Sequence, residues 1–442
     1  MAFSNPIVDA GCLGLAALFR SRALTPVEAT EAYLSRIDRL NPGLGAVLDV
    51  DVAGARAGAS ESAARWRHRQ PFSALDGIPI LVKANIAVAG LPWHAGIGAY
   101  RDRIAPHDAE AMAALRAAGA VILGTVNMHE GALGATTDNA WFGRTHNPHR
   151  HGHTAGGSSG GSGAAVAAGL CAAALGTDTM GSVRIPSAYC GVFGHKPTQG
   201  LISTSGVTAL SWTLDHVGVH ARSAEDCQVV LEACAEQPLG REVMTGRIGI
   251  LDFAGQVELC PEVEAAWARC ATRAETLGLE VERVTLPGYD FSRLRRLGLL
   301  ISEAEGFVEH EAALAANPDG FSPEFRELLT WGANQPAWKL ARAYRDLAAA
   351  SEAVSEAFLP YAAVLMPTAP QTAFAFGESP ANQADFTAIA DFTGLPATAF
   401  PVGLSPAGLP LSCQVVAWSD ATALALAGRL ALPLEQPSAF RG

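Results

Sequence analysis

The chain has 442 residues, 49% hydrophobic and 17% charged, with 45 glycines and 26 prolines, which excludes disorder and describes a loop-rich protein with a sizeable core. A net charge of -12 with no run of basic residues excludes a surface built to grip a phosphate backbone. Eight cysteines without a C-x-x-C pair read as free thiols, and neither a signal peptide nor a membrane span is visible, so a reducing, cytoplasmic location is expected.

Thr25 caps a helix that takes Pro26 into its first turn and runs to about Leu40, with Ala29, Tyr33 and Ile37 on one face. The apolar run Ile80, Leu81, Val82 predicts a short buried strand ending at Lys83. Ala109–Ala118 reads as a helix and Ala120–Gly124 as a buried strand, the alternation that a parallel sheet requires. A long Gly/Ser loop then opens a helix over Ala164–Leu170. Further on come strands at Arg247–Leu251 and Leu279–Leu286 around a helix at Glu262–Leu277, a long helix over Pro336–Leu359, and strands at Ala362–Met366 and Leu411–Val416. No repeat and no linker divides the chain, so a single α/β domain over 1–442 is expected.

Of 31 basic residues only three are lysines, Lys83, Lys196 and Lys339. Arginine replaces lysine wherever a positive charge suffices, but it does not release its proton at accessible pH, whereas a desolvated lysine does. A lysine ending a buried strand therefore stands out. Lys196 reads as an anchor of its turn, and Lys339 as a solvated helix residue.

The densest signal is Thr154–Ser187, which holds Ser158, Ser159, Ser162, Ser182 and Ser187 among glycines. A phosphate-cradling loop fails, because neither G-x-x-x-x-G-K-[ST] nor G-x-G-x-x-G occurs in it. Gly157–Gly161 fits the G-x-S-x-G elbow around Ser159, yet that elbow follows a buried strand and here a polar HRHGHT precedes it. No lysine has serine three residues before it, which removes the Ser-x-x-Lys pattern. A flexible linker is disfavoured because the loop feeds directly into an apolar helix. His149, His151 and His153 alternate with a spacing open to metal ligation, with a polar loop as the plainer reading.

Taken together, GIPILVKAN, GGSSGGSGAAVAAG and GTDTMGSVRIPSAYCGVFGHKPTQG, in this order, resemble the amidase signature family. The likeness extends over about residues 20–235 and 358–430. It implies one large domain with a central mixed twisted sheet covered by helices on both faces, a signature core at about 70–235 and a variable helical region at about 240–357. It also implies a Ser-cisSer-Lys triad: Ser182 as nucleophile, Ser158 as the bridging serine and Lys83 as the base. Lys83 serves only when neutral, which requires burial to lower its pKa to roughly 7–8. The turn Thr179, Met180, Gly181 would supply oxyanion donors with Ser182, while Ser159, Asp178 and Arg184 would support the loop. His195 and His216 are then structural. No metal and no cofactor is implied.

Two positions depart from the family pattern. Met180 stands where glycine is usual and is expected to line the pocket with ordinary φ. Ala84 stands where aspartate usually follows the lysine, which removes one polar partner of the base. The expected activity is hydrolysis of the C–N bond of a small amide through an acyl-enzyme, with an aryl amide or urethane-type carbamate favoured and Trp93, Trp141, Trp212 or Trp331 as pocket walls. The alternative is the glutaminase subunit of a tRNA-dependent amidotransferase. Acidity and modest length favour a freestanding enzyme, with a small amide or carbamate as ligand, no nucleic acid or membrane partner, and at most a second copy of the chain.

Overall fold

Local signals at the chain ends of each helix set where it starts and stops, as the first long one shows. In a computed structural model that describes residues 6–235, 237–240, 246–435 and 437, helix α1 (Pro26–Leu44) opens on Thr25, which accepts from the Glu28 N–H while Glu28 accepts from that of Thr25. The helix outruns its expected end near Leu40, taking Pro42 into its last turn and closing on Gly45 at φ 66°. The first five residues of the amino-terminal stretch read for a signal lie outside the described residues.

Eleven strands form the main sheet: β1 (Val47–Val50), β2 (Pro79–Lys83), β3 (Val121–Val126), β4 (Ala173–Asp178), β5 (Phe193–Lys196), β6 (His216–Ala221), β7 (Ile248–Asp252), β8 (Val281–Thr285), β9 (Ala363–Pro367), β10 (Ala397–Leu404) and β11 (Pro410–Ala417). Their order across it is β1-β3-β2-β4-β6-β5-β10-β11-β9-β7-β8. β2 runs parallel to β3 and β4, and β7 parallel to β8 and β9. The middle of the sheet, from β4 to β11, is antiparallel throughout. The sheet is therefore mixed. β7 and β8 fall where strands are expected within the otherwise helical region at about 240–357, and they extend one edge of the sheet.

Side chains alternate between two cores, as a sheet covered on both faces demands. On β9, Ala363 and Leu365 join the larger core while Val364 and Met366 join the second. β11 does the same, with Val415 and Ala417 on one side and Val416 on the other. Covering helices include α2 (Gly160–Ala167), α3 (Arg184–Cys190), α4 (Phe291–Ala316), α5 (Pro323–Ala333), α6 (Ala337–Phe358), α7 (Ala388–Thr393) and α8 (Asp420–Leu430). α2 begins inside the Gly/Ser stretch rather than after it. A Cβ on Gly161 would lie 2.3 Å from the Asn127 carbonyl oxygen, so there glycine permits a close approach of two backbones, which is a packing role. No helix among the described residues is long and apolar enough to cross a membrane.

Candidate active site

β2 and β4 are parallel neighbours in register, Val82 opposite Leu175, which sets the ends of the two strands side by side. Lys83, fully buried at the end of β2, donates to Ser158 Oγ at 2.7 Å and to Thr177 Oγ1 at 2.8 Å. Asn85 Nδ2 also donates to Thr177 Oγ1, at 3.1 Å. Burial draws the Lys83 ammonium from its usual value down to about 7, against the opposing charges of Asp215 and Asp178. Ala84 is buried in an apolar cluster with Ile97 and Met128, and the polar partner missing there is provided by Thr177.

The Gly157–Ser158 peptide is cis. Thr137, at φ 53°, holds this loop, its Oγ1 donating to Gly156 O at 2.8 Å and accepting from the Gly160 N–H at 3.0 Å. A β-branched residue at positive φ is a costly conformation kept for that clamp. Ser159 links the loop to both neighbours, with its Oγ donating to Thr177 O at 3.1 Å and its N–H donating to Ser182 O at 3.1 Å. Ser159 is thus tied into the sheet rather than exposed on an elbow.

Ser182 is half-buried in the turn between β4 and α3 and lines a cavity of about 120 Å³ together with Thr179 and Met180. Its Oγ makes no hydrogen bond among the described residues, whereas Lys83 and Ser158 are joined directly. The turn is held by Asp178, whose carboxylate accepts from the N–H groups of Gly181 and Val183 and from Arg184. Burial would raise that carboxyl, but the charge and hydrogen bonds of Arg184 hold it well below the carboxylate range. Arg184, fully buried, also donates to Asp391 Oδ2 at 2.6 Å, Thr387 O at 2.7 Å and Gln414 Oε1 at 3.1 Å.

The Gly181 N–H, expected as an oxyanion donor, is engaged by Asp178 Oδ1 at 2.5 Å, and that expectation is corrected. The N–H groups of Thr179, Met180 and Ser182 have no acceptor among the described residues. Met180 keeps a φ outside the left-handed region while Gly181 takes φ 125°. Thr179 Oγ1 donates to Asp215 at 2.6 Å, and burial raises that aspartate to about 6.

Other expectations are corrected by position. None of the four tryptophans lines the cavity: Trp93 donates to Asn85 O, Trp141 to Glu130, and Trp212 and Trp331 face solvent. Lys339 is not simply solvated, since its Nζ donates to Gln335 Oε1 at 2.7 Å and lies 5.0 Å from the Trp331 ring centre. Lys196 is fully buried, donates to Pro197 O at 2.8 Å, and is drawn down to about 8 by burial. His149 bonds Cys190 O and His151 stacks on His146, so the alternating histidines do not converge. Asn85 and Thr177 lie inside the motifs GIPILVKAN and GTDTMGSVRIPSAYCGVFGHKPTQG, yet no role is read for them or for Thr137 and Asp215 from sequence, because their partners come from other segments of the chain.

A family profile described as Amidase matches residues 28–424. Among curated proteins, the chain is 32% identical to a glutamyl-tRNA(Gln) amidotransferase subunit of Lachnospira eligens, covering 93% of this chain and 95% of that one. A solved structure described as an amidase superposes with TM-score 0.89 at 32% identity, covering 95% of this chain and 99% of the other. Another, described as a vestigial protein complex that reveals the origins of an s-triazine catabolic enzyme, superposes with TM-score 0.86 at 30% identity over 94% and 96%. The expectation of a freestanding chain with only a small-molecule partner and no nucleic acid is corrected by these curated relatives, which bear the name of one subunit of a tRNA amidotransferase.

Proposed function

The chain belongs to the amidase signature family, whose members hydrolyse C–N bonds, and from that premise we propose that it releases ammonia from a small carboxamide such as glutamine as one subunit of a larger assembly. The observation that carries the chemistry is the buried Lys83 bonded at 2.7 Å to Ser158 beside a cavity lined by Ser182. In this reading Ser182 Oγ attacks the carboxamide carbon, and its proton passes through Ser158 to neutral Lys83. The N–H groups of Met180 and Ser182, with Thr179, receive the oxyanion, each such donor contributing about 10²–10³ in rate. The proton returns to the leaving nitrogen as the C–N bond breaks, and water then hydrolyses the ester on Ser182. Asp178 and Arg184 hold the turn, and Met180 shapes the acyl pocket.

The assembly rests on the curated relatives, whose length this chain spans almost fully. A second reading, hydrolysis of an aryl amide or urethane-type carbamate, is favoured by the apolar side chains of Leu133, Ile185, Leu210 and Leu299 in the same cavity. The test is ammonia release from glutamine and from an anilide and carbamate panel, with Ser182→Ala expected to lose more than about 10³-fold. Wild-type turnover by Ser182→Ala removes the chemistry, and a native pull-down returning this chain alone removes the assembly.

A further inference from the structure

Each residue of the nucleophile turn, 179–182, is tied to something outside it. Asp178 accepts from the Gly181 N–H, Thr387 Oγ1 donates to Met180 O at 2.7 Å, and the Ser159 N–H donates to Ser182 O at 3.1 Å. The remaining tie is the bond from Thr179 Oγ1 to Asp215 Oδ1 at 2.6 Å. β6 pairs with β4 so that His216 lies opposite Asp178, which sets Asp215, one residue earlier, opposite Thr179. The other carboxylate oxygen of Asp215 accepts from the N–H groups of Leu210 at 2.8 Å and Ser211 at 3.1 Å. Thr179 and Leu210 both line the cavity with Ser182, so one carboxylate sets the turn against another wall of that cavity.

The loop that carries Asp215 is itself anchored. Glu305, on α4 and 2% exposed, accepts from Ser211 Oγ at 2.5 Å, Tyr344 OH at 2.5 Å, the Thr213 N–H at 3.1 Å and Thr213 Oγ1. Hydrogen bonds to a charged acceptor are the strong ones, so the loop has little room to drift. Its charge is placed as well as its backbone. Side chains alternate along β4 and past its end, so Thr177, which accepts from Lys83, and Thr179, which is bonded to Asp215, face the same side. Asp215 is thereby brought near Lys83, and its charge opposes the effect of burial there. The other ionisable groups near that lysine are Asp178, already paired with Arg184, and His129 and His220, which burial draws down to about 4 and about 3 and so leaves uncharged.

We propose that Asp215 is a positioning residue for the acyl transfer: through Thr179 it aims the nucleophile turn at the oxyanion, and it supplies the countercharge while Lys83 holds the serine's proton. The assignment rests on Ser182 opening a C–N bond in this cavity. Burial raises the Asp215 carboxyl only to about 6, so it carries its charge at neutral pH.

With only three lysines in the chain, isotope labelling at the lysine ε-carbon gives three NMR signals, and that of Lys83 is the one lost in Lys83→Arg. Asp215→Asn removes the charge and keeps the hydrogen bonds, since an amide accepts from the Leu210 and Ser211 N–H groups and donates to Thr179. It is expected to move the Lys83 midpoint about one pH unit lower. The Lys196 midpoint, whose charged neighbours are Asp391, Arg184, Asp178 and Asp420, stays in place. A Lys83 midpoint that stays, or that moves together with that of Lys196, overturns the proposal. Thr179→Val keeps the charge and loses the bond, so kcat for ammonia release from glutamine is expected to fall about 10-fold with KM within about twofold, and Thr179→Ser restores it. Wild-type kcat in Thr179→Val overturns the proposal as well, a test that stands even where Asp215→Asn does not fold. The NMR titration needs no turnover. A chain that shows the Lys83 change but hydrolyses no amide supports the pairing of Asp215 with Lys83 and brings down the hydrolytic reading alone.

Discussion

A base must shed its own proton before it takes one from a serine. Lys83, drawn by burial to about 7, does so near neutrality, so kcat/KM is expected to rise about tenfold per pH unit below 7 and to level off above it. Lys83→Arg keeps the charge, removes the base and flattens that profile at a residual rate. Stability carries the same signature. Below pH 7 the folded chain keeps a buried ammonium at a penalty; between about 7 and the ordinary 10.5 it has released a proton that the unfolded chain still holds, so stability rises with pH across that window. The melting-temperature advantage of Lys83→Met over wild type should therefore shrink from pH 7 to pH 10, and a gap that stays constant would contradict the assigned shift. Lys83 was legible because lysine is scarce here and ends an apolar run. Thr177 was not, because an ordinary threonine becomes a lysine partner only when two strands far apart in sequence lie side by side.

At the level of elements, sequence pattern found β2, β3, β7, β8, β9 and β11 and missed β1, β4, β5, β6 and β10. β4 reads AALGTD, with two alanines and a glycine and no β-branched residue before Thr177, and β5 is four residues with a glycine and a lysine. Both are specified by their neighbours in the sheet, a tertiary effect that no window contains. α4 lies in the variable region at about 240–357 and carries none of the quoted motifs, yet it supplies Arg295 and Leu299 to the cavity. It also lies directly on Met180. A Cβ on Gly298 would come within 2.5 Å of Met180 Sδ and 2.8 Å of the Phe392 ring. Gly298→Ala is expected to destabilise by about 1–3 kcal/mol. In a thermal-melt cycle with Met180→Ala the two should couple by about 1 kcal/mol. Additive effects would show that the thioether does not bear on the helix.

Across the whole molecule, the motifs marked the chemistry but not the ties between distant halves. Arg184 joins Asp178 on β4 to Thr387 and Asp391 about 200 residues later and to Gln414 on β11. Arg184→Met leaves Asp178 and Asp391 facing each other in the interior and should cost about 3–5 kcal/mol. Urea titration followed by tryptophan fluorescence and by circular dichroism would show one shared shift in midpoint, and a loss confined to one probe would count against a single cooperative unit. The same tie has a bearing on synthesis. On a ribosome, Lys83, Ser158 and Ser182 all emerge well before Asp391 and Gln414, so a nascent chain carries every reacting group while the arginine behind its nucleophile still lacks half its acceptors.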